Sequence, residues 1–156
     1  ILYSKFEDKE KLIVACMKRE ADFLYSSAED IQKQSKSALE AVYFTCYEQF
    51  YYICSLYPSF FKNLGIFKEA DKLWKNYLSE FRKRCTGYFL KGVTEGDFLP
   101  DMNYDLTPIV LTERLNELNM QKTVHQKTNI LPILRDVCTR KGKSHLTLLL
   151  EKKKTI

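Results

Sequence analysis

The sequence lacks a long apolar run. No stretch approaches the roughly 20 residues that a helix needs to cross a bilayer, so we expect no membrane span. Its first residues, ILYSKFEDKEKL, are amphipathic and charged, which predicts that they are not a secretory signal peptide. Sustained alternation of apolar and polar residues is missing as well, which disfavours β-strands. With 45% hydrophobic and 13% aromatic residues, the 156-residue chain suits one domain with a substantial core.

Motifs for catalysis and metal binding are scarce. The sequence has no Gly-rich phosphate loop, HExxH or GxSxG, and its two histidines, His125 and His145, fall in or beside polar segments that we expect to be exposed. The five cysteines show no CxxC pair and no Cys/His metal spacing, which predicts reduced thiols in a cytoplasmic protein without metal or cofactor. We therefore expect a non-enzyme, and an enzyme built on Cys46 or Cys54 is the least favoured alternative.

What the sequence does contain is a very apolar stretch from Ser37 to Phe61. Residues at helical steps of three and four form one apolar stripe: Leu39, Val42, Tyr43, Cys46, Phe50, Ile53, Cys54 and Tyr57. The opposite side is mostly aromatic, and only Glu48, Gln49 and Ser55 interrupt it. A helix that is apolar nearly all round must be surrounded by other helices. This stretch, ended by Pro58, is therefore predicted to be the central helix of an all-α domain.

The rest of the chain predicts further helices, about six to seven in all. The expected segments are Asp8 to Ser26–Ser27, a polar loop over 29–36, a short helix over 59–64, a long helix from Phe67 to Gly92, a turn-rich connector over 96–105, a helix from Asp105 or Thr107, a polar break over 119–127, and a helix over 130–138. We expect Gly142 to interrupt the last of these, and Ser144 to cap a final short helix.

Aromatic residues are the most informative class. A core made only for stability would favour Leu, Ile and Val, whereas each buried tyrosine hydroxyl must find a partner, at a cost of roughly 1–3 kcal/mol if it does not. Many such hydroxyls favour a pocket for a mostly apolar small molecule, and plain core packing is the alternative. The candidate ligand-binding residues are Tyr43, Cys46, Tyr47, Phe50, Tyr51, Cys54, Trp74, Tyr77, Phe81 and Tyr88.

Three segments carry a family resemblance. At the start, LYSKFEDKEKL resembles the junction after the helix-turn-helix in TetR/AcrR-type bacterial transcriptional regulators, with matching positions at Tyr3, Phe6, Asp8, Lys9, Glu10 and Leu12. The segment EGDFLPD is similar to that family's linker before its dimerisation helices, and RKGKSHLTLLLEK is similar to its closing segment. The order and lengths of the expected helices match the family's antiparallel helical bundle, its C-terminal domain, over nearly the whole chain.

The resemblance implies a one-component regulator, expected to be a repressor. Residues 1–7 would be the remnant of a helix-turn-helix domain that lies before Ile1 and binds operator DNA, and residues 8–156 would bind a small hydrophobic or aromatic effector and form a homodimer. By position, Tyr3 and Lys9 match residues that contact DNA phosphates, and a phenol hydroxyl and an ammonium group suit that role. No membrane contact is implied. The alternative is a helical protein-interaction module whose aromatic core is only structural.

The resemblance also implies a dimer surface formed by two helices from each subunit. The apolar residues expected there are Leu111, Leu115, Leu118, Ile130, Leu134 and Val137. Pairing them with their symmetry mates would bury an otherwise exposed apolar patch. Docking of the same residues inside the subunit is the alternative.

Overall fold

The computed structural model describes residues 9–50, 52, 64–120 and 130–154. Six α-helices cover most of this part of the chain: α1 (Lys9–Gln34), α2 (Ala38–Phe44), α3 (Lys68–Thr94), α4 (Thr107–Met120), α5 (Leu131–Asp136) and α6 (Arg140–Lys154). A π-helix, Thr45–Phe50, directly continues α2, and a 3₁₀ turn, Leu64–Ile66, precedes α3. The described residues contain no strand, so the all-α prediction is confirmed.

Helix α1 is longer than the sequence predicted. Its last six residues, 29–34, were expected to be a loop or a frayed lead-in to the next helix, but the helix continues to Gln34. The inner face of the helix, where Leu24 and Ala28 are buried, continues into the polar sequence at the half-buried Ile31. The hydroxyl of Ser35 then donates to the carbonyl of Ile31 at 2.6 Å and satisfies one of the last carbonyls of the helix.

The apolar stretch that begins at Ser37 is helical, as predicted, but not as one continuous α-helix. The side chain of Ser37 caps α2 by accepting a hydrogen bond from the backbone of Glu40 at 3.1 Å. At Thr45 the backbone changes to the wider π register, which persists to Phe50. Residues 51 and 53–63, including the predicted stop at Pro58 and the short helix after it, lie outside the described residues.

Helix α3 organises the core, because it contacts α1, α2, α4 and the 3₁₀ turn. Its buried side chains include Tyr77, Phe81, Cys85 and Phe89, spaced at four residues, so they form one stripe along the helix. The predicted start near Phe67 is confirmed, but α3 runs past Gly92 to Thr94. The chain then turns at Gly96, whose φ of 84° lies in the left-handed region that favours glycine.

The junction between α3 and α6 differs from the sequence prediction. The helix expected over 130–138 ends at Asp136, because Cys138 instead forms an isolated antiparallel bridge with Phe98 in the connector. Gly142 does not interrupt a helix and Ser144 does not begin one, since both lie inside α6. Thr139 precedes α6, and its hydroxyl accepts the backbone N–H of Gly142 at 3.0 Å, as an N-cap does.

Candidate functional site

The buried aromatic cluster joins α2 and the π-helix to α3. Tyr43 and Tyr47 stack with ring centroids 4.8 Å apart, and Trp74 stacks on Tyr77 at 5.3 Å. Phe81 lies 6.3 Å from Tyr77 by centroid and extends the row along α3. These residues belong to one hydrophobic cluster, in which only Trp74 of the five is partly exposed. The described part of the site is therefore a packed aromatic cluster, with one stacked pair on the segment that starts with α2 and another on α3.

The structure brings most of the predicted ligand-binding residues together. Tyr43, Cys46, Tyr47, Tyr77 and Phe81 are buried in the same cluster, and Trp74 and Tyr88 pack against it while half-buried. Tyr51, Cys54 and the side chain of Phe50 lie outside the described residues. Their assignment to the site stays a prediction, as does the binding role of the others.

Two buried polar side chains were missed as site residues. Thr45 is fully buried and Gln49 is 3% exposed, although the sequence placed Gln49 among the hydrophilic breaks on the outer side of its helix. The amide nitrogen of Gln49 donates to the backbone carbonyl of Leu24 in α1. The oxygen of that amide and the hydroxyl of Thr45 have no hydrogen-bond partner among the described residues. The sequence feature that could have identified them is that Thr45 and Gln49 are polar residues four apart inside an otherwise aromatic and apolar helix.

The cluster is electrically neutral around physiological pH. Burial is the main cause of a raised pKa at Tyr43, at Tyr47 and at Tyr88. The pKa of Cys85 is raised well above its usual value, first by a hydrogen bond with the Cys46 thiol and then by complete burial. Phenols and thiols with raised pKa values keep their protons, so the cluster consists of apolar rings and uncharged polar groups.

A second cluster of polar groups lies at the junction of α3 and α6. The side chain of Asp97 is 3% exposed, and its Oδ2 lies 3.1 Å from Nδ1 of His145. His145 was predicted to be exposed, whereas its side chain is 36% exposed and faces a buried acid. The Thr139 hydroxyl donates to the carbonyl of Gly96 at 2.6 Å, and Lys141 donates to that of Glu95, also at 2.6 Å. This cluster holds two helices together and was not predicted, because its partners are separated by more than 40 residues.

An open groove of about 430 Å³ lies on the outer surface between α3 and α4. The half-buried Arg82 lines it and donates to the hydroxyl of Thr112 from Nε at 3.3 Å and from Nη2 at 3.1 Å. The other lining residues are Lys75, Leu78, Ser79, Lys83, Thr86, Asp105 and Ile109. The groove is open to solvent and most of its lining residues carry charged or polar groups, which suits a polar ligand better than a purely apolar one.

The residues proposed for the dimer surface lie mostly in the subunit core. Leu111, Ile130, Leu134 and Val137 are each at most 3% exposed, so they have almost no surface left to bury against a partner. The side chains of Leu115 and Leu118 lie outside the described residues. Large apolar side chains that do face solvent near α4 are Leu106, 52% exposed, and Val110, 42% exposed.

Of the two residues proposed to contact DNA, Tyr3 lies outside the described residues, and Lys9 is the exposed first residue of α1. Across the described ranges, no group of three His, Cys, Asp or Glu side chains is arranged to hold a metal ion. None of the helices described is both long enough and apolar enough to cross a membrane.

No protein-family model and no curated protein matches the sequence. The structure is similar to that of the ketosteroid transcriptional regulator KstR2 of Mycobacterium tuberculosis, a TetR-family protein, with a TM-score of 0.72. The two sequences are 15% identical, and the similarity covers 89% of this chain and 78% of that chain. At this identity the similarity shows the fold alone, which is the all-α fold of a TetR-type regulator.

Proposed function

We propose that the protein is a one-component transcriptional regulator, acting as a repressor in the cytoplasm. In this proposal residues 1–7 are the end of a helix-turn-helix domain that binds operator DNA, and residues 8–156 bind an effector and dimerise. Its fold, shared with a ketosteroid transcriptional regulator, supports a regulator of this kind. The observation that carries the sensing role is the buried aromatic cluster between the π-helix and α3.

The chemistry of that cluster defines the expected effector. Stacked rings provide flat apolar surface, and the raised pKa of Tyr47, caused mainly by burial, keeps its hydroxyl protonated. A charged ligand would lose its hydration in such a place without gaining a charged partner. The effector is therefore an uncharged, hydrophobic or aromatic small molecule. A steroid ketone is a reasonable first compound to test, because the protein of similar structure is described as a ketosteroid regulator.

Helix α1 is the proposed route from the effector to DNA. It begins at the exposed Lys9 beside the proposed DNA-binding domain, and its carbonyl at Leu24 accepts a hydrogen bond from Gln49 of the π-helix. An effector that alters the π-helix would therefore act on α1 directly. It shifts the equilibrium between DNA-binding states only by its differential affinity, so a hundredfold preference supplies about 2.7 kcal/mol.

The proposed homodimer forms through α4 and the segment that includes α5. Leu106 and Val110 provide solvent-facing apolar surface there, with Leu115 and Leu118 as the further expected contacts. The buried Leu111 supports this surface from the core side of α4. Changing Val110 to glutamate should yield a monomer in sedimentation, because it places a charge in the apolar contact. Leu90→Glu, at another exposed leucine on α3, is the control and should sediment as wild type does.

Operator binding by the full-length protein tests the proposal. We expect it to bind a fragment of DNA upstream of its own gene, measured by fluorescence anisotropy, and to be released by a hydrophobic aromatic compound or steroid ketone. Absence of sequence-specific DNA binding, at low as well as moderate salt, would refute the regulator function. If the protein binds operator DNA but no compound from a broad hydrophobic library releases it, only the sensing role is refuted.

The alternative is a helical protein-interaction module in which the aromatic cluster only stabilises the fold. The tight ring stacking, with centroids 4.8 Å and 5.3 Å apart, suits that function too. The substitution Trp74→Ala separates the two functions. In a sensor it should weaken effector binding more than it lowers the melting temperature, whereas in a structural core only the melting temperature should respond.

A further inference from the structure

The π-helix places two polar side chains in the middle of the apolar core. Thr45 is fully buried and Gln49 is 3% exposed. The Thr45 hydroxyl and the Gln49 amide oxygen are both without a hydrogen-bond partner among the described residues. Buried side-chain polar atoms in native proteins are mostly hydrogen-bonded, so two such atoms on one short segment need a specific explanation. Packing alone does not require them, since valine could fill the space of Thr45, and the bond to Leu24 uses only the amide nitrogen of Gln49 and leaves its oxygen unpaired.

The two side chains lie about one helical turn apart on the same side of the segment, because residues four apart on a helix are surface neighbours. The orientation of the Gln49 amide is fixed by its contact with α1. Its nitrogen donates to the carbonyl of Leu24, so its oxygen is the atom left over, and that oxygen can only accept. The Thr45 hydroxyl can both donate and accept.

Aromatic side chains border the same region. Leu24, whose carbonyl holds Gln49, is followed on α1 by Tyr25, and the ring centroid of Tyr25 lies 5.8 Å from that of Tyr77. Tyr77 in turn stacks on Trp74. Tyr47, which stacks on Tyr43, lies between Thr45 and Gln49 in the π-helix, so the two unpaired oxygens are on the segment that carries an aromatic residue assigned to the effector site.

We infer that Thr45 and Gln49 are the polar recognition points of the effector site and that they select an effector carrying a hydroxyl group. A ligand hydroxyl can donate to the Gln49 oxygen and accept from the Thr45 hydroxyl at once. An ether or ketone oxygen has no hydrogen, so it would leave the Gln49 oxygen unpaired. This inference rests on the proposed sensing function, and it specifies which effectors that function prefers.

The expected preference is at least tenfold in dissociation constant. Binding a ligand without a donor leaves the glutamine oxygen buried and unpaired, and the loss of one neutral hydrogen bond changes affinity by about that factor. The inference also favours a hydroxyl-bearing compound over the steroid ketone proposed above as a first compound, so the two classes should be compared side by side.

The test uses three probes of nearly equal shape: 2-naphthol, 2-methoxynaphthalene and naphthalene. Each is titrated into the wild-type protein and into Thr45→Val and Gln49→Met, with isothermal calorimetry as the readout. Gln32→Met, a change at an exposed glutamine of α1, is the control. Thr45→Val removes only the hydroxyl and keeps the volume, so it guards against a folding defect in Gln49→Met, which also loses the bond to Leu24.

We expect wild type and Gln32→Met to bind 2-naphthol at least about tenfold more tightly than the other two probes. Thr45→Val and Gln49→Met should lose that preference and bind naphthalene as well as wild type or better. A preference that survives in Thr45→Val and Gln49→Met, or equal affinity of all three probes for wild type, would overturn the inference and leave the sensing function standing. Failure of all three probes to bind wild type would count against the aromatic effector site itself and would overturn both.

Discussion

Replacing Gly142 by alanine tests the contact that fixes α6 against the end of α3. A Cβ atom built on Gly142 would lie 2.8 Å from the carbonyl carbon of Asp97 and 3.1 Å from its Cα, and closer still to its carbonyl oxygen. These are backbone atoms, and the same carbonyl accepts the N–H of Thr139 at 2.9 Å. The methyl group therefore cannot be accommodated by rotation of a flexible side chain, and the two helices must separate.

The expected magnitude is a balance of two effects. Alanine in a helix is favoured over glycine by roughly 0.5–1 kcal/mol, whereas overpacking in a close contact costs about 1–3 kcal/mol. Because the clash is with backbone atoms, the upper half of that cost applies, and Gly142→Ala should lower the free energy of unfolding by about 1–2 kcal/mol. For a domain of this size the melting temperature should fall by roughly 2–8 °C.

Gly87 is the matched control, because it lies exposed within α3 and a Cβ there would meet nothing within 4 Å. Gly87→Ala has only the favourable effect of alanine, so it should raise the free energy of unfolding by about 0.5–1 kcal/mol. Urea denaturation followed by circular dichroism measures both variants. If Gly142→Ala stabilised the protein as much as Gly87→Ala does, the close approach of α6 to Asp97 would be refuted.

Two further predictions concern the same junction. His145→Ala should cost about 1–3 kcal/mol, since it leaves the buried carboxylate of Asp97 without its partner, and the double variant with Asp97→Asn should cost less than the sum of the single changes. If urea denaturation showed that the free-energy costs of the two single changes simply add in the double variant, the contact between His145 and Asp97 would be contradicted. Burial raises the pKa of the Cys138 thiol from 9.0 to about 11 and that of the Tyr104 hydroxyl from 10.0 to about 12. Because the folded protein holds these protons more tightly than the unfolded chain, stability should be complete below pH 9 and fall between pH 9 and 12. Cys138→Val should remove part of the fall between pH 9 and 11, and an unchanged pH profile would contradict its burial.

Local pattern was enough to predict the long helices and their inner faces. The apolar spacing along α3 predicted the burial of Tyr77, Phe81 and Cys85, because a stripe with helical period must face the core. The turn-rich connector after Gly96 was also predicted from its composition. These features depend on residues close together in the sequence.

Two of the errors have the same physical cause, which is contact between residues distant in the sequence, and a third comes from a local change of helix type. Gly142 was predicted to interrupt a helix, but it lies inside α6. A glycine is needed at this position because a side chain would collide with the backbone of Asp97. His145 was predicted to be exposed because the local sequence does not reveal its partner, Asp97, which lies 48 residues earlier. Gln49 was placed on the outer side because the α-helical period was assumed to continue through Thr45, whereas the backbone there changes to π register.

The most direct test of the sensing mechanism is the effect of Tyr47→Ala on release from operator DNA. In the full-length protein this change removes a buried ring that stacks on Tyr43. We predict unchanged operator affinity in the absence of effector, and an effector concentration for half-release that is raised about tenfold or more. The exposed control Leu90→Ala should leave both quantities unchanged. An unaltered release concentration for Tyr47→Ala, with effector still binding, would contradict the claim that the aromatic cluster senses the effector.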